Sequence, residues 1–324
     1  MTISFLQKIN SNGGPRNFQL KFINWLKSNN IEYNFCDNFF EKKKIILVNA
    51  GTKKIIYLIF QKILGAKIIQ RLDGLNNLHE IKNNKIKFKA FLSNLSMNLI
   101  RTNLADKIIY QSLFVKERWE KKFGRSNKKY KIIHNPYFDK TRFRNSYIKK
   151  FNILIMEGNI QNDIKTINLL KWIFLASKIN VKIDNVYILG STDSQIKKQF
   201  RNQKHIKFLG FVSRKKQINL MKKNKMIYFP IEFNASCPNS YIELIARGIP
   251  SCFIDGGSLS ELSKFSSVKI KNNSTNISLV SAINIALNKI CENYNLYTNL
   301  KFLVSKRYER NKIFNQYLDF IYLK

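Results

Sequence analysis

Short apolar runs that alternate with helix-patterned segments are the feature that most restricts how this chain can fold. Such runs occur at Ile45 to Val48, Asn152 to Met156 and Met226 to Phe229, and each ends in a loop containing Gly, Asn or Pro. Continuous apolar runs of this length are typical of parallel strands that are buried on both faces. Strands that alternate with helices therefore predict an α/β fold with doubly wound parallel sheets.

The alternation occurs twice, which predicts two domains. It runs through residues 2–148 and begins again at Phe151, so we place a linker at 145–150. A chain of 324 residues with 44% hydrophobic content can bury two cores of ordinary size. We predict an N-terminal Rossmann-like domain at 1–148 and a second domain at 149–300.

The net charge of the chain is large, but it does not identify a partner. The formal net charge is +37, a value typical of proteins that bind nucleic acid or anionic membranes. The basic excess is spread over both halves, and we find no clustered Arg motif or base-stacking aromatic signature. We therefore expect no specific nucleic-acid partner, and a basic nucleic-acid-binding protein remains an alternative that rests on charge alone.

The cysteine, histidine and hydropathy patterns give expectations about location. Four cysteines without a C-x-x-C pair and three histidines support neither a zinc site nor a disulfide framework, which favours a reducing compartment. The segment Met1 to Ile9 lacks a signal-peptide pattern, and no apolar run reaches the ~18 residues that a transmembrane helix needs. We expect a cytoplasmic protein.

The segment from Glu232 to Leu262 carries the clearest chemical pattern. It reads as loop, short helix and strand, with Asn239 and Ser240 as N-cap candidates. The backbone N–H groups of the first turn, at about 239–241, could then receive an anion. Ser240 and Glu243 also form S-x-x-E, a capping box in which Glu243 bonds its own helix end. On spacing alone, the capping box is the favoured interpretation.

The stretch CPNSYIELIARGIPSCFIDGGSLSEL resembles the nucleotide-sugar segment of glycosyltransferase family four, retaining enzymes of the GT-B fold with two Rossmann-like domains facing a cleft. The resemblance implies that Glu243 binds the donor ribose and that the amides at Asn239, Ser240 and Tyr241 receive the donor phosphates. The family usually has a second Glu eight residues before the first, where this chain has Ala235.

The resemblance implies further donor contacts elsewhere. The loop with Gly13 and Gly14, and the Arg71-Leu72-Asp73-Gly74 loop, would face the donor sugar and the acceptor. Lys165 matches a lysine that binds the donor diphosphate, and Asn159 stands where an Arg is usual. The missing charge could come from Arg214 or Arg71.

Two other segments match the family more locally. The sequence from His134 to Pro136 resembles a turn at the domain junction, with Asp139 and Phe143 in matching places. A final helix that crosses back to the N-terminal domain is expected in segment 301–324, within a helix predicted from Asn299 to Tyr322. We expect its aromatic residues to make that contact: Phe302, Tyr308, Phe314, Tyr317 and Phe320.

Two helical stretches combine lysines with large apolar residues. For Lys53 to Gly65, we favour a helix that covers the sheet with solvated lysines. For Lys85 to Arg101, that interpretation and a helix in an anionic membrane interface stay open. In the second case, these side chains would face lipid: Phe88, Phe91, Leu92, Leu95 and Leu99.

The expected function is transfer of a sugar from a nucleotide-diphosphate sugar to a hydroxyl of a glycan or lipid-linked acceptor, with retention. Asp73, Lys165 and Glu243 are the candidate catalytic residues, the donor is a co-substrate, and no further cofactor is expected. Because there is no D-x-D pair, we expect no metal. The alternative is a sugar-nucleotide-binding protein without activity, motivated by Ala235 and Asn159. The enzyme would be cytoplasmic or peripheral on the inner face of the cell membrane.

Overall fold

The computed structural model describes residues 2–6, 14–78, 83–137, 150–161, 163–263, 266–271 and 276–323. The chain forms two compact units, one made of Met1–Asn135 with Arg310–Lys324 and the other of Pro136–Glu309. Each contains a six-stranded parallel sheet with helices, which confirms the predicted α/β fold class. The predicted linker at 145–150, except Lys150, lies outside the described residues, as do Asp139 and Phe143.

The sheet of the first unit has the strand order β2-β1-β3-β4-β5-β6. Its strands are β1 Ile3–Phe5, β2 Tyr33–Phe35, β3 Ile45–Asn49, β4 Lys67–Leu72, β5 Lys107–Tyr110 and β6 Lys129–Ile132. The helices are α1 Gly14–Ser28, α2 Ile55–Ile63, α3 Asn84–Leu99 and α4 Leu113–Phe123, and a π-helical turn, Ile100–Leu104, continues α3. Strand β2 has no long apolar run, and the sequence pattern did not predict it.

The sheet of the second unit has the order β12-β11-β10-β7-β8-β9. Its strands are β7 Phe151–Ile160, β8 Ile183–Thr192, β9 Ile206–Gly210, β10 Lys225–Tyr228, β11 Ser251–Ile254 and β12 Ser267–Ile270. The helices are α5 Ile164–Ile179, α6 Ser194–Phe200, α7 Arg214–Lys222, α8 Asn239–Ala246, α9 Leu259–Leu262, α10 Asn276–Glu292, α11 Tyr294–Asn299 and α12 Lys301–Arg307. Ser213 caps α7, because its side chain accepts a hydrogen bond from the Lys216 N–H.

Strands β7 and β8 are joined through a bulge at their carboxyl ends. Met156 pairs with Leu189 and Asn159 pairs with Ser191, so Glu157 and Gly158 together lie opposite the single residue Gly190. Gly190 has a φ of +114°, and a Cβ there would lie 1.7 Å from the Glu157 carbonyl oxygen. The close approach of these two backbones therefore requires glycine at position 190.

The last helix, α13 Arg310–Tyr322, belongs to the first unit. Phe314 lies among the rings of Phe18, Phe22 and Trp25, with centroids 4.8–6.1 Å away. Trp25 Nε1 also donates a hydrogen bond to Asn311 Oδ1 at 2.9 Å. The helix therefore completes the aromatic core of a unit whose other residues come from the start of the chain.

The structure differs from the predicted final helix at its N-terminal part. The pattern from Asn299 to Tyr322 is divided among α11, α12 and α13, with a break at Tyr308 and Glu309. Phe302 is 67% exposed, and buried Tyr308 donates its hydroxyl to the Leu262 carbonyl at 3.1 Å within the second unit. The break arises because Tyr308 packs in one unit and Phe314 in the other.

Phe314→Ala is expected to lower the free energy of unfolding of the first unit by about 3–5 kcal/mol, because it removes a fully buried ring from an aromatic cluster. Urea unfolding of the full chain measures the change. Phe302→Ala is the matched control, since that ring is mostly exposed. Equal unfolding midpoints for the two variants would contradict the packing described for α13.

Candidate functional site

Helix α8 begins without a side-chain cap. Its N-cap is Pro238, and no side-chain hydrogen bond caps the helix at this residue. Asn239 and Ser240 were predicted as caps, but they are the first and second helical residues. The capping box is therefore not formed as predicted, because Ser240 lies two positions past the N-cap. The N–H groups at 239–241 have no acceptor within the helix, so the helix start keeps the geometry of an anion site.

The start of α8 adjoins the carboxyl ends of two neighbouring strands. The hydroxyl of Tyr228, the last residue of β10, lies 3.3 Å from Ser240 Oγ. Strand β10 pairs with β7, which carries Glu157 near its end. Burial raises the pKa of Tyr228 well above its usual value, and the charge of Glu157 adds to this. The three side chains therefore belong to one cluster at this edge of the sheet.

Glu157 is the main residue of this cluster that the sequence analysis missed. Its Oε1 accepts a hydrogen bond from the Ile231 N–H at 3.4 Å. Burial raises the pKa of Glu157 to about 8, and the negative charge of Glu232 contributes to the shift. The carboxyl group is therefore mostly protonated at pH 7 and can donate a hydrogen bond. Strongly shifted pKa values are typical of functional sites.

Glu243, on the second turn of α8, is held by a cation from α7. Arg214 Nη2 donates a hydrogen bond to Glu243 Oε2 at 2.8 Å. The Glu243 side chain is 13% exposed and that of Arg214 is 45% exposed. The ion pair fixes one carboxylate oxygen while the group stays accessible at the surface. The sequence predicted both residues for the donor site, and the structure brings them together.

Ala235 lies in the packed loop before α8 and brings no acidic group to the site. Ala235 is buried, and its carbonyl accepts a hydrogen bond from the Ser258 N–H at 2.9 Å. A Cβ at Gly257 would lie 2.8 Å from the backbone of Ala235, so the turn after β11 packs closely against this loop. The acidic residue of this loop is Glu232, whose charge acts on Glu157.

Lys165 and Asn159 lie near the carboxyl edge of the same sheet and are both exposed. Lys165 is the second residue of α5, whose N-cap Asp163 accepts a hydrogen bond from the Thr166 N–H at 2.9 Å. Asn159 pairs with Ser191 beyond the bulge of β7. In open α/β sheets this edge is where ligands bind.

In the first unit, Arg71 is buried, and each of its three guanidinium nitrogens donates a hydrogen bond. Its guanidinium donates hydrogen bonds to the Tyr317 hydroxyl at 3.0 Å, Asp73 Oδ1 at 3.1 Å and Asn135 Oδ1 at 2.8 Å. It also lies 3.8 Å from the centroid of the Phe18 ring. Burial raises the pKa of Asp73, and the Arg71 charge opposes this shift. Arg71 therefore positions the partly exposed Asp73 carboxylate, while its contact with a donor stays a prediction.

A small pocket lies at the carboxyl ends of β1 and β3 in the first unit. Leu6, Gln19, Asn49 and Thr52 are among its lining residues. Both amide atoms of Asn49 are buried without a hydrogen-bond partner among the residues described here. An amide in this state can bind a hydroxyl group of a ligand. Gly14, the first residue of α1, follows the same edge, and Gly13 lies outside the described residues.

The described part of the chain contains no cluster of three or more His, Cys, Asp or Glu side chains placed to hold a metal ion. The four cysteines are buried and form no disulfide bond. Burial raises the pKa of the Cys36 thiol, so a structural role suits this residue better than a nucleophilic one.

Comparison with solved structures identifies the fold. The chain superposes on sucrose-phosphate synthase from Thermosynechococcus elongatus with a TM-score of 0.69 and 10% identity, over 98% of each chain. It superposes on Anabaena HepE bound to UDP and glucose with a TM-score of 0.70 and 14% identity, and on the lipopolysaccharide outer core galactosyltransferase WaaB with 0.70 and 13%, over 99% of each chain. No family model and no curated protein matches the sequence.

The two parallel sheets and these superpositions together define a GT-B fold. At 10–14% identity the comparison establishes the architecture, and the activity has to be argued from the site.

Proposed function

We propose that the protein is a retaining glycosyltransferase that moves a sugar from a nucleotide-diphosphate sugar to a hydroxyl of a glycan or lipid-linked acceptor, without a metal. The observation that carries this proposal is the uncapped start of α8 next to a carboxylate held by an ion pair. Together they offer a phosphate site and a ribose site on one helix. HepE, bound to UDP and glucose, and WaaB, a galactosyltransferase, share the fold and support the choice.

The chemistry of the transfer suits these groups. As the bond between the sugar and the diphosphate breaks, negative charge grows on the leaving phosphate oxygens. The amides at 239–241 and the ammonium group of Lys165 would stabilise that charge, in place of a metal ion. Groups that bind this charge more strongly in the transition state than in the bound donor accelerate the reaction.

Glu243 would bind the donor ribose through its carboxylate oxygens. A carboxylate accepts hydrogen bonds from two hydroxyl groups without strain, and charge-assisted bonds are stronger than neutral ones. In this proposal Arg214 positions Glu243 through the 2.8 Å bond and does not itself replace the phosphate-binding Arg absent at Asn159. Asp73 and the Asn49 pocket, both in the first unit, would then bind hydroxyl groups of the acceptor.

Donor binding is tested by thermal shift with UDP, GDP, ADP and CMP and their sugars, with and without EDTA. A selective shift that EDTA leaves unchanged is the expected result, and its selectivity identifies the base. A shift that EDTA abolishes would remove metal independence from the proposal. No shift with any nucleotide would remove the donor site.

Glu243→Gln is expected to weaken nucleotide binding about 5- to 30-fold, because it removes a charged acceptor from the ribose. The Tm should change by no more than about 2 °C, since glutamine keeps the size of the side chain and the partner Arg214 is 45% exposed. Isothermal titration with the nucleotide selected above measures Kd. Glu292→Gln, which removes the acid of the exposed Lys182–Glu292 ion pair, is the matched control. Wild-type affinity in Glu243→Gln would contradict the ribose role.

A sugar-nucleotide-binding protein without activity is the second candidate. It is favoured by buried Ala235, at the position where the resemblance implies an acid for the donor sugar, and by Asn159. The two candidates differ in turnover. Release of nucleotide from the donor that binds, whether through hydrolysis or through transfer, would exclude the second candidate. Donor binding without any turnover would favour it.

A further inference from the structure

Helix α3 carries an apolar stripe on the side that faces away from the core of its unit. Its buried residues are Asn94 and Met97. The stripe consists of Phe88, Phe91, Leu92, Leu95 and Leu99, which are 40–61% exposed. At 100° per residue these five lie within about 100° of one another, with Met97 roughly opposite and Asn94 about 110° from their centre. The amphipathic pattern is thus inverted relative to a helix that packs its apolar side inward.

Helix α2 shows a second outward stripe beside the first. Ile56, Ile59 and Ile63 are spaced by three and four and are 43–77% exposed, while Tyr57, Leu58 and Gln61 are buried. A groove lined by Ile55 of α2 and by Leu95 and Leu99 of α3 joins the two helices. The sequence pattern favoured α2 as a helix that only covers the sheet, but its outer side is apolar as well.

The two helices are cationic and contain no acidic residue. Neither Ile55–Ile63 nor Asn84–Leu99 includes an Asp or a Glu. Lys53, just before α2, and Lys85, Lys87 and Lys89 on α3 are all exposed. Lysines beside an exposed apolar stripe are typical of helices that lie in the interface of an anionic bilayer.

We propose that the outer surface of α2 and α3 docks on an anionic phospholipid bilayer, with the apolar stripes inserted and the lysines at the headgroups. A bilayer offers both a plane of negative charge and an apolar interior, which match the two components of this surface. A twofold contact with a second copy would bring lysines against lysines with no acid on these helices to balance them. Contiguous exposed apolar surface of this kind marks an interaction site. No helix in the described ranges is long and apolar enough to cross a bilayer.

The test must separate docking from the general attraction of a chain with charge +37 to anionic lipid. Sedimentation of the full chain with vesicles of phosphatidylcholine, alone or with 30% phosphatidylglycerol, measures binding. The double variant Phe88→Ser, Leu92→Ser removes apolar contact and keeps the charge. The triple variant Lys85→Glu, Lys87→Glu, Lys89→Glu reverses the charge and keeps the stripe. Leu175→Ser with Val181→Ser is the control, because both residues are exposed and lie in the other unit.

The wild type and the control are expected to bind the anionic vesicles and to leave neutral vesicles unbound. Each test variant should lower the bound fraction at least tenfold. Circular dichroism checks that each variant is folded, which the exposure of the changed side chains favours. If the Phe88→Ser, Leu92→Ser variant bound the vesicles as well as the wild type, net charge alone would explain the binding and the proposal would be overturned. Absence of wild-type binding would overturn it too, as would a lipid-free dimer that this variant dissociates.

Discussion

Gly190→Ala is expected to lower the free energy of unfolding of the second unit by about 4 kcal/mol or more, enough to unfold a marginally stable unit. The new Cβ would lie 1.7 Å from the Glu157 carbonyl oxygen, which belongs to the bulge of a central strand and cannot retreat without breaking the β7–β8 pairing. The φ of +114° adds backbone strain for any residue with a side chain. Urea unfolding followed by circular dichroism measures the loss.

Gly158→Ala is the control for that variant, since it changes the neighbouring glycine of the same bulge. A Cβ at Gly158 meets no atom within 4 Å, and its φ lies outside the left-handed region. We expect a change within about 1 kcal/mol. If Gly190→Ala were as stable as Gly158→Ala, the close approach of β7 and β8 described above would be incorrect.

Glu157→Gln is expected to stabilise the second unit at alkaline pH and to change little at acid pH. The pKa of Glu157 is raised from 4.5 to about 8 in the folded protein by burial and by Glu232. Below pH 4.5 the folded and unfolded states both carry the proton, so ionisation costs nothing. Between pH 4.5 and 8 only the folded state keeps it, and the free energy of unfolding falls as the pH rises. Above pH 8 the loss is complete.

The size of this effect follows from the shift in pKa. At about 1.4 kcal/mol per unit, a shift from 4.5 to about 8 corresponds to a loss on the order of 4–5 kcal/mol at pH 8. Glutamine has no proton to lose, so the variant should lack this decline. Urea unfolding at pH 4, 6 and 8 gives the comparison, with Glu292→Gln as an exposed control. Parallel pH curves for Glu157→Gln and the wild type would exclude a protonated Glu157.

The protonation of Glu157 also bears on the proposed function. A neutral carboxyl beside Tyr228, which reaches Ser240, leaves the start of α8 electropositive, whereas an ionised one would oppose an incoming diphosphate. If the protein binds a nucleotide diphosphate as proposed, its affinity should decrease above pH 8 in the wild type. Glu157→Gln should remove that decrease, because the neutral group is then permanent.

Local sequence patterns predicted the architecture because the hydrophobic pattern of most strands and helices is contained within a few residues. The apolar run Ile45 to Val48 became β3, and the run Asn152 to Met156 lies within β7. Strand β2, Tyr33–Phe35, was not predicted because a three-residue strand at the edge of a sheet is too short to show a hydrophobic pattern. The single helix predicted from Asn299 to Tyr322 failed because helical periodicity continues across Tyr308, while packing in two different units interrupts the helix there.

The residues of the candidate site that lie in one segment of the sequence were predicted, and those that come together from distant segments were not. Glu243 and the start of α8 lie in one recognisable stretch, whereas Arg214 was named only as a possible source of the missing diphosphate-binding charge, not as the partner of Glu243. Glu157 and Glu232 are far apart in sequence, and only the pairing of β7 with β10 brings them together. The buried network of Arg71 likewise depends on Tyr317, which comes from the other end of the chain.

Because α13 belongs to the first unit, that unit can be completed during translation only after the second unit has been synthesised. Residues 1–135 of the first unit leave the ribosome before residues 136–309, yet Phe18, Phe22 and Trp25 pack against Phe314, and Arg71 bonds to Tyr317. At ~5–20 residues per second, these aromatic side chains wait roughly 15–60 s for their partners. The unit that is synthesised first is therefore completed last, and its unfinished aromatic core stays available for aggregation during that time.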